Sequence, residues 1–135
     1  MPSDPRFLCV ARASVSELGS ISGLSDQDCR AVTLAMDEAL ANIIRHAYGN
    51  RYDQTIEVKC EISHDYLEFK LFDQGEPADQ DRICSQPMNA VSLSGRGTHM
   101  MRLIMDDVCY ERIRGANQLT LRKHLPARSK VEKER

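Results

Sequence analysis

Apolar residues recur at helical spacing in the first third of the chain, and this pattern predicts two amphipathic helices. The first is predicted over about residues 5–20, because Asp4 is a good N-cap and Pro5 suits the first helical position. The second is predicted to begin after Ser25, another capping residue, and to continue to about Ala47.

The pattern then changes from a helical period to alternation, which predicts strands. Residues 55–62 and 66–72 alternate apolar with charged side chains and are predicted to pair as a hairpin. The following segment, residues 73–97, is rich in Gly, Pro, Ser, Asp and Gln and has little periodicity. A loop of that length inside a domain is usually functional, so we expect it to be a lid over a ligand.

The last third of the chain completes an α+β domain. Residues 98–107 have helical character, and residues 108–113 and 118–123 are predicted strands joined by a turn at residues 115–117. Two or three helices and four mostly antiparallel strands predict a two-layer α/β sandwich. The sheet is expected to have about four strands and to be covered on one face by about three helices.

Composition narrows the class of protein without identifying its chemistry. A chain of 135 residues, 41% hydrophobic and 28% charged, fits one soluble domain. We expect that domain to span residues 1–125 and residues 126–135 to be a frayed tail. A formal net charge of −2 gives no electrostatic basis for binding nucleic acid or an anionic membrane. Without a leader or a membrane-length apolar run, the expected location is cytoplasmic.

The cysteines are widely spaced and include no C-x-x-C pair, so neither a zinc site nor a disulfide framework is predicted. Most of them are expected to be small buried hydrophobic residues in a reducing compartment. They are Cys9, Cys29, Cys60, Cys84 and Cys109.

The second helix carries a polar stripe. At 100° per residue, Glu38, Asn42 and Arg45 fall within an arc of about 60°. The rest of the helix is apolar nearly all round, which predicts burial nearly all round. A carboxylate in such a place needs a partner or a function. The spacing alone leaves two interpretations open, a structural Glu38–Arg45 ion pair and a functional groove.

Two glycine-containing segments add candidate ligand-binding positions. Asp73 follows a strand and precedes Gly75, an arrangement that suits a flat ligand with hydrogen-bond donors, although taken alone an ordinary turn is the simpler explanation. Residues 94–98 lead into the third helix, where free N–H groups favour phosphate and where Arg96 and Thr98 add a charge and a hydroxyl. Each segment is weak evidence alone; their order along the chain strengthens the interpretation.

Taken together, these segments resemble the ATP-binding fold shared by gyrase, Hsp90, histidine kinases and MutL. Within that fold they are most similar to the small anti-sigma-factor serine/threonine kinases of bacteria. The resemblance covers about residues 5–124 and rests on LAMDEALANIIRHAY (34–48), DQGEP (73–77), and SGRGT (94–98) followed by LIMDDV (103–108).

The resemblance implies a role for each matching position. Asn42 matches the ligand of the Mg²⁺ that bridges the ATP phosphates, and Glu38 matches the general base. Asp73 matches the acceptor for the adenine amino group, and Gly75 lets the base approach the backbone. Arg45 is expected to support the groove. The residues expected to embrace the phosphates are Gly95, Arg96, Gly97 and Thr98.

The implied function is a kinase that transfers the γ-phosphoryl group of ATP to a serine or threonine of an anti-anti-sigma protein. ATP and Mg²⁺ are the implied cofactors, and a sigma factor is a second implied partner. The alternative is a non-catalytic ATP-binding module that sequesters a sigma factor or another regulatory protein. Relatives of this kind commonly form homodimers, and the sequence pattern does not fix the oligomeric state.

Three features depart from the family pattern. Pro77 stands where larger relatives have glycine, and Thr98 replaces a bulky apolar residue, which affects the packing of the lid. The sequence also predicts no strand before the first helix. We therefore expect that edge of the sheet to be open, shortened, or filled by a strand from a partner.

Overall fold

A computed structural model describes residues 1–78 and 96–127. Within these ranges a sheet is covered on one face by helices, which confirms the predicted α+β fold. The sheet is antiparallel throughout, in the order β1-β2-β4-β3. The strands are β1 (Glu57–Ile62), β2 (Tyr66–Asp73), β3 (Asp107–Ile113) and β4 (Ala116–His124). The α-helices are α1 (Leu8–Ser22), α2 (Asp26–Asn42) and α3 (Arg96–Ile104).

The core lies between α2 and the two central strands. Strand register places Phe69 beside Leu121 and Leu71 beside Leu119, so one apolar row of β2 faces its counterpart on β4. Alternation puts these side chains on the covered face of the sheet, where they meet buried residues of α2 such as Met36. Since α2 also packs against α1 and α3, it occupies the centre of the helical layer.

Local signals explain where α1 and α2 begin and end. Residues Pro5–Phe7 form a 3₁₀ turn capped by Asp4, so α1 starts three residues later than predicted. It ends at Gly23, whose positive φ of 99° makes it a left-handed C-cap. The Ser25 hydroxyl accepts a hydrogen bond from the Asp28 N–H at 3.1 Å, which confirms the predicted cap of α2.

The predicted second helix reaches Ala47 as expected, but its last turn is not α-helical. Residues Ile43–Ala47 form a π-helical turn, in which the Tyr48 N–H donates to the Ile43 carbonyl at 2.9 Å. Such wider turns inside helices are rare and are frequent at functional sites.

The prediction that the second helix is buried nearly all round is wrong. One side of α2 meets the sheet, α1 and α3, whereas Arg30 and Leu34 lie on an exposed arc, which Arg45 continues in the π-helical turn. Leu34 is 46% exposed. The apolar pattern did not predict this exposed arc, because single exposed leucines and alanines are common on protein surfaces.

The open edge at β1 is partly covered. The Ser3 N–H donates to the Gln54 carbonyl and the Ile56 N–H to the Met1 carbonyl, both at 2.8 Å, with an antiparallel bridge between Pro2 and Thr55. No strand precedes α1 in the described residues, as predicted, and of the three expected alternatives the structure shows a shortened pairing at this edge. From Glu57 onward the outer edge of β1 has no partner strand within the described residues.

Most of the described cysteines are exposed, which contradicts the prediction that most would be buried. Cys29 is buried between α1 and α2, but Cys9, Cys60 and Cys109 are exposed, and Cys84 lies outside the described residues. Cys9, Cys60 and Cys109 lie at helix and strand positions that no neighbouring element covers, so they are exposed to solvent. Residue type alone could not predict this.

Two boundaries in the last third of the chain differ from the prediction. The turn between β3 and β4 is only Arg114 and Gly115, both with positive φ (53° and 79°), as in a two-residue hairpin. Asn117, predicted to lie in the turn, is instead in β4. Helix α3 begins two residues earlier than predicted and ends at Ile104, because β3 already begins at Asp107.

Parts of the predicted loop and tail lie outside the described residues, namely 79–95 and 128–135. Before the second gap, the Leu125 N–H donates to the Asp65 carbonyl at 2.8 Å. No helix of the described ranges combines the length and the hydropathy required to cross a bilayer.

Candidate functional site

Asp73 is a buried carboxylate at the last position of β2, with only 6% of its surface exposed. Its Oδ1 accepts hydrogen bonds from the Gly75 N–H at 2.9 Å and from the Asn117 side-chain amide at 2.8 Å. Its Oδ2 accepts none from the described residues. Every fully buried side-chain N or O atom of the described residues has a hydrogen-bond partner. Because Oδ2 has none, it must be in contact with solvent.

Burial raises the pKa of the Asp73 carboxyl above its usual range. The hydrogen bonds from Asn117 and Gly75 and the nearby charge of Arg112 lower the pKa, but they do not cancel the effect of burial. Taking this carboxylate out of water therefore has a net cost to the fold. A buried acid with one uncommitted oxygen is a strong candidate for ligand binding.

Gly75 is held against the end of the second helix. The Glu76 N–H donates to the Ala47 carbonyl at 2.8 Å, and the Gln74 N–H donates to the Tyr48 hydroxyl at 2.9 Å. A Cβ on Gly75 would lie 2.3 Å from the Ala47 carbonyl oxygen. Sequence reasoning linked this glycine to a ligand and missed its packing role, which depends on a contact between distant segments.

Gly75→Ala should destabilise the protein by about 1–3 kcal/mol, the usual cost of forcing extra atoms into a packed site. The overlap is with backbone, so the segment must move away and lose the bond from Glu76 to Ala47. Urea unfolding measures the effect. The matched control is Gln74→Ala, whose exposed side chain predicts a change within about 0.5 kcal/mol. Equal stability of Gly75→Ala and the control would contradict this role.

The polar stripe of α2, which Arg45 extends into the π-helical turn, lies at the margin of the exposed arc. Glu38 and Asn42 are half-buried and Arg45 is exposed. Arg45 Nη2 donates to Asn42 Oδ1 at 3.0 Å, and the Glu38–Arg45 ion pair left open by the spacing is not found among the described residues. The Glu38 carboxylate makes no hydrogen bond or ion pair with the described residues. Its neighbour Asp37 is paired with Arg12 at 2.8 Å.

The contact between Gly75 and Ala47 relates the two groups of candidates in space. Asn42 and Glu38 precede Ala47 by five and nine residues, so they lie roughly one and two turns before that contact along the helix. Asn42 therefore lies nearer than Glu38 to the segment that follows β2.

The phosphate-binding candidates are only partly described. Helix α3 begins at Arg96 and packs against α2, so its N-terminal turn includes Gly97 and Thr98 as well. The side chains at 96–98 and all of Gly95 lie outside the described residues, and their predicted contacts stay predictions. A helix N-terminus offers free N–H groups to an anion, which is compatible with the prediction.

Asn42 would be the sole protein ligand proposed for Mg²⁺. No group of three or more His, Cys, Asp or Glu side chains in the described ranges could hold a metal ion. Its carbonyl oxygen has two lone pairs, so it can accept the Arg45 bond and still coordinate a cation. This donor set fits Mg²⁺ in nucleotide sites, where water and phosphate oxygens supply most ligands.

A separate apolar cleft of about 290 Å³ lies between α1 and β1. Its walls include Phe7, Val10, Val58 and Cys60. None of the candidate residues of α2, β2 or α3 lines it, so it is distinct from the site described above.

Comparison with known proteins identifies the chain's relatives. A family described as the histidine kinase-like ATPase domain matches residues 1–123. The serine-protein kinase RsbW of Oceanobacillus iheyensis is 27% identical over 116 residues, covering 80% of this chain and 73% of that protein. The protein of the same name from Bacillus velezensis is also 27% identical over 116 residues, covering 80% of this chain and 72% of that protein.

A solved structure supports the fold independently. The histidine kinase domain of the blue-light activated histidine kinase from Erythrobacter litoralis EL346 superposes with a TM-score of 0.59 at 16% identity. The match covers 91% of this chain and 61% of that chain. The likeness therefore concerns the fold, and the present chain spans less than two thirds of that structure.

Proposed function

Because the chain belongs to the family of histidine kinase-like ATPase domains, we propose that it binds Mg-ATP in the region between Asp73 and the polar stripe of α2. We further propose that it is a protein serine/threonine kinase and anti-sigma regulatory factor. Its relatives named serine-protein kinases support this narrower function.

The observation that carries the proposal is the uncommitted Oδ2 of buried Asp73. An ionised carboxylate is a hydrogen-bond acceptor only, so it suits the exocyclic amino group of adenine. Burial has a cost that an ordinary turn would not require, and ligand binding would explain why a carboxylate is kept there.

The phosphates would extend from the base along α2. Asn42 Oδ1 would hold Mg²⁺, which when bound neutralises charge on the phosphates. The first turn of α3 would supply N–H groups to the same phosphates. The hydrogen bond from Arg45 orients the Asn42 side chain so that Oδ1 faces the exposed arc. A bound phosphate would lie on that side.

Glu38 is the proposed general base for transfer. The serine or threonine oxygen of the partner forms a bond to the γ-phosphorus as the bond from that phosphorus to the β,γ-bridging oxygen breaks, and ADP leaves. The hydroxyl proton passes to the Glu38 carboxylate. That carboxylate has no competing partner in the described residues, whereas Asp37 is engaged by Arg12.

Asn42→Ala tests the assigned position of Mg²⁺. Ligand binding raises the stability of the folded state by about 2.7 kcal/mol at a ligand concentration of 100 Kd, so melting curves report affinity. Wild type should bind ATP more tightly with Mg²⁺ than with a chelator, and Asn42→Ala should lose most of that difference. The control is Arg30→Ala, on the same exposed arc. A Mg²⁺ effect unchanged in Asn42→Ala would contradict the assignment.

The proposed substrate is a small anti-anti-sigma protein with a serine or threonine at the start of a helix. Incubation of both proteins with radiolabelled ATP measures the transfer. Incorporation into the partner that requires the wild-type kinase supports the proposal. The absence of transfer, with ATP binding retained, would contradict the kinase function.

A binding-only module that sequesters a sigma factor or another regulatory protein is the second candidate. The observation in its favour is on α1, where Val10 and Ile21 are 59% and 67% exposed and, eleven residues apart, lie on the same face of the helix. Such residues suit a protein-binding surface. Stable, nucleotide-dependent binding of a sigma factor without phosphoryl transfer to any anti-anti-sigma partner would favour this candidate over the kinase.

A further inference from the structure

Asn117 is a buried amide whose hydrogen-bonding groups are all engaged. It is 2% exposed and lies directly opposite Asp73 in the pairing of β2 with β4. Its Nδ2 donates to Asp73 Oδ1 at 2.8 Å, to the Glu76 carbonyl at 3.0 Å and to the Gly75 carbonyl at 3.2 Å. One side chain thus contacts both the carboxylate and the backbone that follows it.

Two neighbours on β3 fix the orientation of this amide. Tyr110 Oη donates to Asn117 Oδ1 at 2.6 Å, and Arg112 Nη1 donates to the same oxygen at 2.8 Å. A flipped amide would place its NH₂ group against these donors and its oxygen against the carboxylate of Asp73. The donor and acceptor inventory therefore allows only the orientation in which the NH₂ group faces Asp73.

The same neighbours tie the segment after β2 to the β3–β4 hairpin. Arg112 Nη1 also donates to the Gly75 carbonyl at 3.3 Å, and the Ala78 N–H donates to Tyr110 Oη at 2.8 Å. The hairpin therefore holds the carboxylate from one side, while Ala47 and Tyr48 hold the segment from the helical side. Because the NH₂ group and the oxygen of the buried Asn117 amide are all engaged, the orientation of this side chain is rigid.

We propose that Asn117, held in orientation by Arg112 and Tyr110, is a positioning residue that makes Asp73 selective for purines with a 6-amino group. The inference rests on the proposed function, in which Asp73 accepts from adenine. The Asn117 amide holds Oδ1 of Asp73 toward the protein interior. Only Oδ2 of Asp73 then faces the ligand, as a hydrogen-bond acceptor in a fixed position. A carboxylate that could rotate would follow a shifted or differently substituted base, and the preference would weaken.

The probe is purine riboside triphosphate, which lacks the 6-amino group of ATP and otherwise matches it. Wild type should prefer ATP by about tenfold or more, since hydrogen bonds to charged groups are the strong ones. Asn117→Leu, of similar size but without polar atoms, should bring the ratio of the two affinities close to one. The affinity of Asn117→Leu for inorganic tripolyphosphate should equal that of wild type. This control distinguishes a lost preference for the base from a loss of folded protein.

Arg112→Leu provides a second variant that does not alter the buried position. Arg112 is exposed, so its replacement should leave the fold intact and reduce the preference for ATP by about threefold through looser control of the Asn117 amide. The control is Glu111→Leu, on the opposite face of the same strand, which should leave the preference unchanged. Titration calorimetry measures all the affinities.

Two results would contradict different claims. If wild type prefers ATP and both Asn117→Leu and Arg112→Leu keep the full preference, Asn117 is not a positioning residue and the proposed function stands. If wild type fails to bind ATP at all, the proposed function fails and this inference fails with it.

Discussion

Asp73→Asn should abolish measurable ATP binding and, at neutral pH, raise the melting temperature by a few degrees. An asparagine can keep its oxygen toward Gly75 and Asn117 and so preserve both inward hydrogen bonds. Its NH₂ group then faces outward, where the adenine amino group also presents donors, and two donors repel. Removing a buried charge meanwhile removes its desolvation cost, so activity and stability should change in opposite directions.

The gain in stability should depend on pH in a defined direction. Because burial raises the pKa of Asp73 in the folded state, the folded protein binds this proton more tightly than the unfolded chain does. The resulting stabilisation of wild type is complete below the ordinary pKa of an aspartate, and it is lost as pH rises through the folded-state pKa. The advantage of Asp73→Asn should therefore be largest at neutral pH and should fade in acid.

Thermal melts across this pH range, with calorimetric titration of Mg-ATP at neutral pH, check both parts. The control is Asp53→Asn, since Asp53 is exposed and its hydrogen bond with Gln54 lowers its pKa. That variant should gain no stability at neutral pH and should bind ATP as wild type does. An Asp73→Asn protein that binds ATP with wild-type affinity would contradict the assignment of the base-binding carboxylate.

Glu38→Gln should retain ATP affinity and lower the rate of phosphoryl transfer by about 10²–10⁴-fold, the usual contribution of a general base. The substitution preserves size and polarity but removes the capacity to take the hydroxyl proton. Single-turnover transfer to the partner, measured beside ATP titrations, separates the chemical step from binding.

Asp37→Asn is the matched control for Glu38→Gln. Asp37 is the adjacent carboxylate on the same helix, but it is engaged by Arg12 at 2.8 Å, so its loss should change transfer less than tenfold. Equal losses in the two variants would indicate a general effect of negative charge on α2. A Glu38→Gln protein that transfers at the wild-type rate would leave the chain without its proposed base.

The sequence predicted the parts of the fold that depend on local periodicity. Alternation in β1 and β2, the caps at Asp4 and Ser25, and the helical spacing of α1 and α2 all depend on neighbours along the chain. The same information predicted which helix and which strand end would carry polar candidates.

The sequence could not predict features that depend on contacts between distant segments. The requirement for glycine at position 75 comes from the Ala47 carbonyl, and Asn117 became visible as a site residue only through its register with Asp73. The predicted turn at residues 115–117 placed Asn117 outside the strand, so its pairing with Asp73 was not predicted. The actual turn has only two residues and requires a positive φ at Arg114. Burial of α2 likewise depends on where α1 and α3 pack.

Whether nucleotide binds between Asp73 and the polar stripe is best tested by mapping backbone and side-chain amide NMR shifts on addition of Mg-ATP. A ligand between Asp73 and the polar stripe should shift the Gly75 backbone amide and the side-chain amides of Asn42 and Asn117, and it should leave the cleft between α1 and β1 unchanged. Shifts confined to that cleft, around Val10 and Val58, or no shifts at saturating nucleotide, would contradict ATP binding at Asp73 and the polar stripe.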